Sequence, residues 1–347
     1  MWPAQLRVVT LVRGAALLGL ALVTACTSSR AEILWREGWV QENKGDLSAA
    51  ARRYEESASR DGRQVGARLN QIRLLLVTPE GKADGQELLD KLLKSHASEP
   101  NVAAFAATWA LSQGQLPQAQ QRLGAMRPLK SSDEATTQNA VHIAQLRVAC
   151  AEGAWPKAWD LAQDSSPTAT DAILRATAAY ETGHLDEAIQ LLAVSPDNQE
   201  RRILQVLIAT RQGQPDATLE ALGRVPPGAM TPVLLAAKAQ AYLALHRPAE
   251  AVGLAADAAR QQSDRSDYSE LWAVALLESG QAAPARDILA GWTVRGGGWT
   301  VWYHLGLAYL RLGDGQQSAA AFAGAAARCP TCAPVQQNLA ALKRMGW

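Results

Sequence analysis

Aromatic residues are scarce in this chain: they make up 5% of 347 residues, with only two phenylalanines. Runs of β-branched residues are scarce as well. Both shortages argue against sheets, and the 48% of hydrophobic residues, rich in alanine, favours helices packed through small side chains. An excess of charge is also missing, because 34 basic residues face 33 acidic ones and leave a formal net charge of +1. A nucleic-acid binder would show a basic surplus or stripe, so that class is excluded. The short motifs of catalysis are absent too. There is no phosphate-binding G-x-x-x-x-G-K, no G-x-S-x-G nucleophile elbow and no H-E-x-x-H, and the one glycine cluster lacks the strand that a dinucleotide site needs. Five dispersed histidines (His96, His142, His184, His246, His304) give no ligand spacing, so neither a metal nor a cofactor is expected.

Against these gaps stands a repeat. In Trp299 to Pro330, Trp302, Leu305, Gly306 and Tyr309 fall at helical spacing before a break at Gly313-Asp314. Ser318, Phe322 and Ala325 follow at intervals of four and three, and Pro330 ends the pattern. This spells two antiparallel helices joined by a tight turn. The turn residue recurs at Gly114, Gly153, Gly183, Gly213, then His246 in place of glycine, then Gly280 and Gly313, at intervals of 39, 30, 30, 33, 34 and 33 residues. Ala119, Ala158, Ala188, Ala251 and Ala285 occupy the matching close-contact place on the second helices. A first unit, about 31–61, carries Gly38, the Gly45-Asp46 turn, Ala50, Tyr54 and Ala58, and a degenerate one spans about 65–100.

Small residues where two helices touch, large ones between them and a period near 34 residues resemble the tetratricopeptide repeat. The resemblance implies an all-α chain: a right-handed superhelix, or α-solenoid, of about nine helix pairs with a capping helix over 335–343. The polar stretch 128–137 is the candidate joint between repeats in 31–127 and an array in 138–347, and Gly296 to Gly298 mark a second place where the last unit could pivot.

The first residues look like an address. Arg7 and Arg13 precede the apolar run 15–23, and Val23-Thr24-Ala25-Cys26 closes it with small residues before a cysteine. This resembles a bacterial lipoprotein signal. It implies cleavage of 1–25, a lipid on Cys26 and a tether over 26–30 reaching roughly 20 Å. Thr27, where a retention signal would place aspartate, implies the outer membrane, facing the periplasm. A plain secretory signal or a short anchor is the alternative. Loss of 1–25 removes two arginines and no acids, so the mature chain stays near neutral.

Two further features are candidate sites. Cys329-Pro330-Thr331-Cys332 leaves three readings open: a disulfide that pins the cap, two free thiols, or a redox or metal role. Ala333 stands where a haem-attachment motif needs histidine. Among eleven tryptophans, Trp35 and Trp39 lie four apart on the first helix. By the family resemblance they line the concave groove with Glu32, Glu42 and Asn43, and further along it come Arg147, Tyr180, Arg211, Gln240, Tyr303 and Arg311. The resemblance implies a non-catalytic scaffold that takes a peptide or helix of an envelope protein, as lipoproteins of pilus secretin assembly, outer-membrane assembly or exopolysaccharide export do. A redox or cytochrome-maturation accessory using the cysteine pair, and a glycan binder using exposed tryptophans, are the alternatives.

Overall fold

In a computed structural model, residues 30–61, 65–163 and 171–347 are described. The signal-like segment 1–25 and Cys26 lie outside them. The described residues form nineteen α-helices, a short 3-10 turn and no strand. They group into two compact units, one ending at Pro196 and the other covering Asp197–Trp347.

The first unit holds five antiparallel helix pairs. These are α1 (Arg30–Asn43) with α2 (Leu47–Arg60), α3 (Val65–Leu76) with α4 (Lys82–His96), α5 (Pro100–Ser112) with α6 (Leu116–Gly124), α7 (Ala135–Glu152) with α8 (Trp155–Gln163), and α9 (Ala172–Thr182) with α10 (Leu185–Ala193). The second unit holds four pairs and a final helix: α11 (Gln199–Arg211) with α12 (Pro215–Gly223), α13 (Pro232–Ala244) with α14 (Pro248–Gln261), α15 (Ser266–Glu278) with α16 (Ala282–Val294), α17 (Trp299–Arg311) with α18 (Gly315–Arg328), and α19 (Ala333–Arg344). Each unit is thus an α-solenoid in which a helix packs on its own partner and on the next pair.

The turns follow the sequence pattern closely. Gly45, Gly114, Gly153, Gly183, Gly213, Gly280 and Gly313 all have φ between +67° and +89°, and His246 takes the same left-handed conformation at φ 56°. In each case the helix must end and reverse within three or four residues, and a left-handed residue lets its amide satisfy a carbonyl of the last turn. Gly313 N, for example, donates to Leu310 O at 3.1 Å, and Asp314 N donates to Tyr309 O at 3.0 Å. The Asp314 side chain then caps the next helix by accepting from Gln317 N at 3.0 Å, as Asp46 does from Ala49 N at 2.9 Å. The pair α3 and α4 departs from this plan. Its connection runs through Thr78 and Gly81, with Thr78 Oγ1 accepting from Gly81 N at 3.3 Å and no left-handed glycine.

Close approach within a pair comes from the small residues. A Cβ on Gly38 would lie 2.9 Å from the Tyr54 ring, and one on Gly306 would lie 2.7 Å from the Phe322 ring. Ala119, Ala158, Ala188, Ala251 and Ala285 are fully buried. Ser318 Oγ donates to Gly306 O at 2.8 Å, which fixes the crossing point of α17 and α18.

The two expected points of flexibility both make specific contacts. The stretch 128–137 lies within the first unit and is clamped by Arg127, whose guanidinium bonds both Asp133 oxygens at 2.8 and 3.0 Å. Lys130 N donates to the same carboxylate at 2.7 Å. The Arg127 bond, with the Lys130 amide second, holds Asp133 down at about 2. The glycines at 296–298 make contacts as well. Gly297 N donates to Trp292 O at 2.8 Å, and one core runs from Ala273 and Leu289 to Val301 and Leu305 on either side of them.

His246 is the only non-glycine residue among the described residues with positive φ. Replacing it by glycine removes the Cβ penalty, so His246→Gly should raise stability by about 1 kcal/mol. Thermal unfolding of the two proteins checks this, and an unchanged or lowered midpoint contradicts it.

Candidate functional site

On α1 the two candidate tryptophans divide. Trp35 is half-buried, its ring 6.5 Å from that of Tyr54 and packed against Ala50 and Leu74, so it serves the core of the first pair. Trp39 is exposed, with Asn43 Nδ2 donating to its carbonyl at 2.9 Å. Glu42, expected to line the groove, is occupied. It accepts from Tyr54 Oη at 3.0 Å and from Arg73 Nη2 of α3 at 2.6 and 2.8 Å. Burial, with the Glu42 charge second, pushes the Tyr54 hydroxyl well above its usual range, so it stays a donor.

Arg147 is half-buried on α7, within electrostatic reach of Asp171. Burial pulls its guanidinium below the usual range while Asp171 opposes that shift. Asp171 is itself bonded by Arg175 Nε at 2.7 Å in a pair that is 0% and 1% exposed, and Arg175 Nη1 also donates to Ala162 O. Through this pair the start of α9 is bonded to the last turn of α8. The D-x-x-x-R spacing that makes it was present in the sequence but carried no sign of burial. Tyr180 sits half-buried on α9.

In the second unit, Arg211 on α11 and Gln240 on α13 are exposed at successive first helices. Tyr303 turns out to be a packing residue. Its ring lies 5.6 Å from Phe322 and 6.2 Å from Trp299, and Asn338 of α19 donates to its hydroxyl at 3.4 Å. Arg311 is exposed and bonds Glu278 Oε1 at 3.1 Å.

A pattern that the sequence reading missed joins several of these residues. Polar contacts link equivalent first helices one repeat apart: Glu42 with Arg73, Glu278 with Arg311, and Glu270 with Thr300 at 2.9 Å and His304 at 2.8 Å. Such contacts hold neighbouring pairs in register. The charges left exposed near them are spread along each unit, and no group of three or more His, Cys, Asp or Glu among the described residues is placed to hold a metal ion.

The cysteines are placed plainly. Cys329 and Cys332 form a disulfide with a Cα–Cα distance of 5.4 Å, tying the end of α18 to the N-cap of α19. Cys150 is a free thiol that burial pushes up to about 12, so it is unreactive in the fold.

The turns and crossings define each unit as an α-solenoid of antiparallel helix pairs. No protein-family model matches the sequence, and no curated protein does. Among solved structures, the P58(IPK) TPR domain aligns over 91% of this chain and 98% of its own, at 14% identity and a TM-score of 0.32. A chain of the APC/C hetero-tetramer Cut9-Hcn1 aligns over 92% and 76%, at 13% identity and a TM-score of 0.48. A tetratricopeptide repeat protein from Parabacteroides merdae aligns over 90% and 98%, at 11% identity and a TM-score of 0.28. The helix-pair assignment rests on this chain's own turns and crossings.

Closing so short a loop contributes about 2 kcal/mol. Serine at both Cys329 and Cys332 should therefore lower the thermal midpoint while leaving helix content intact in the cold, and reductant should do the same to the native protein. An unchanged midpoint would show that the bond does not staple the cap.

Proposed function

We propose that this chain is a non-catalytic scaffold of the bacterial cell envelope, held to the periplasmic side of the outer membrane by a lipid on Cys26. It binds an extended peptide or a helix of an envelope protein along the first helices of its repeats. The observation that carries the reading is the distribution of exposed side chains. After the cores and the inter-repeat contacts are made, Trp39 on α1 of the first unit and, in the second, Arg211 and Gln240 on the successive first helices α11 and α13 remain exposed, so within the second unit the exposed groups follow one another from repeat to repeat. Catalysis needs convergent groups, whereas recognition of a partner along its length needs a few anchors on a rigid surface. The anchor reading rests on Val23 to Cys26, and no described helix is long and apolar enough to cross a membrane. Assembly of a pilus secretin, outer-membrane assembly and polysaccharide export are the machines whose lipoproteins it resembles.

The reading is tested in cells. Palmitate label should enter the protein and be lost in Cys26→Ser, and a photo-reactive residue at position 39 or 240 should crosslink to a discrete envelope protein. Trp39→Ala should reduce copurification of that protein about tenfold, the equivalent of one anchor side chain. Unlabelled wild type would remove the anchor, and the absence of any discrete adduct at either position would remove the scaffold.

A further inference from the structure

The face of α1 that carries Ile33 and Val40 is uncovered among the described residues, with charged side chains on either side of the two apolar ones and Arg53 of α2 along one border. Ile33 and Val40 are 46% and 41% exposed. With Arg36, Glu37, Gln41 and Arg53 of α2 they line an open depression of about 380 Å³.

Helical spacing gives the α1 face an internal order. Ile33 and Val40 are seven residues apart and fall on its midline, two turns from each other, while Arg36 flanks the midline on one side and Glu37 on the other. Both charges are exposed and held only by surface pairs, Arg36 with Glu32 at 2.7 Å and Glu37 with Arg53 at 3.2 Å, which are weak and easily shared.

We infer that this face binds a second copy of the same chain, α1 against α1 in parallel, about a two-fold axis running along the helices. In that arrangement each flank meets the opposite flank of the other copy. Arg36 faces Glu37 of the second copy, Glu37 faces its Arg36, and the midline residues meet their own equivalents, Ile33 on Ile33 and Val40 on Val40. An antiparallel arrangement would set Arg36 on Arg36 and Glu37 on Glu37, so the charge pattern selects the parallel one. The pairing also leaves both α1 N-termini pointing the same way, which, on the proposed lipid anchor at Cys26, lets two chains reach the same surface. One helix pair makes a small interface, and the dimer is correspondingly concentration-dependent.

The test uses the full chain in detergent and in vesicles. Val40→Cys should give a disulfide-linked dimer on oxidation, and a mixture of Ile33→Cys and Val40→Cys chains should give the two homodimers in preference to the mixed one. Arg36→Glu or Glu37→Arg alone should weaken association about tenfold, and the double reversal should restore it to within about threefold. Circular dichroism and the unfolding midpoint confirm that each variant folds. A monomer at every concentration with no Val40→Cys crosslink overturns the inference. So does a predominantly mixed Ile33–Val40 crosslink, which marks the antiparallel arrangement, or a double reversal that fails to restore association.

Discussion

The structure depends on how closely the two helices of a pair can approach. Where α17 crosses α18, the only space between Gly306 and Phe322 is the space left by the missing Cβ, and Ser318 seals the same crossing with a bond to Gly306 O. Gly38 and Tyr54 repeat the arrangement in α1 and α2. Fully buried alanines at 119, 158, 188, 251 and 285 do the equivalent work in other pairs. With so few large aromatic residues, the chain builds its cores from backbone proximity, in which many short contacts replace a few large buried rings. In every pair but α3–α4 a left-handed residue makes the short connection between the two helices.

A second layer of contacts converts pairs into units. Glu42 to Arg73, Glu270 to Thr300 and His304, and Glu278 to Arg311 each reach from one first helix to the next. Side chains committed to these contacts are withdrawn from any binding face. The consequence for function is selective. Of the residues expected to face a partner, Glu42, Tyr303 and Arg311 are committed to internal contacts, Trp35 to the core and the Asn43 amide to its own helix, while Trp39 and Gln240 stay open.

Much of the fold was legible because its signals are local. A residue that must be left-handed announces itself by being glycine, and a residue that touches a neighbouring helix announces itself by being small. Even His246 was readable, since its spacing from Gly213 and Gly280 put it at a turn. The α3–α4 connection was read only as irregular, because it caps through Thr78 and not through glycine geometry. The glycines at 296–298 are ambiguous in the sequence because glycine marks both flexibility and tight packing. Only the bond from Gly297 N to Trp292 O and the continuous core around it decide between them. The candidate face was less legible still. Whether a glutamate on a first helix is free or bridged depends on the residue about one repeat away, as Arg73 is from Glu42. The buried pair of Asp171 and Arg175 likewise depends on the packing of α8.

The most direct test of the close-approach account is a change of sign at residue 306. Alanine is the better helix former by about 1 kcal/mol, so Gly306→Ala would stabilise a helix with open space beside it. Against the Phe322 ring the new Cβ forces repacking that costs about 1–3 kcal/mol. The account therefore predicts that Gly306→Ala lowers the unfolding midpoint in the wild-type background and raises it, or costs nothing, in Phe322→Ala. The same effect in both backgrounds would contradict it, since the ring would then not be what holds that position to glycine.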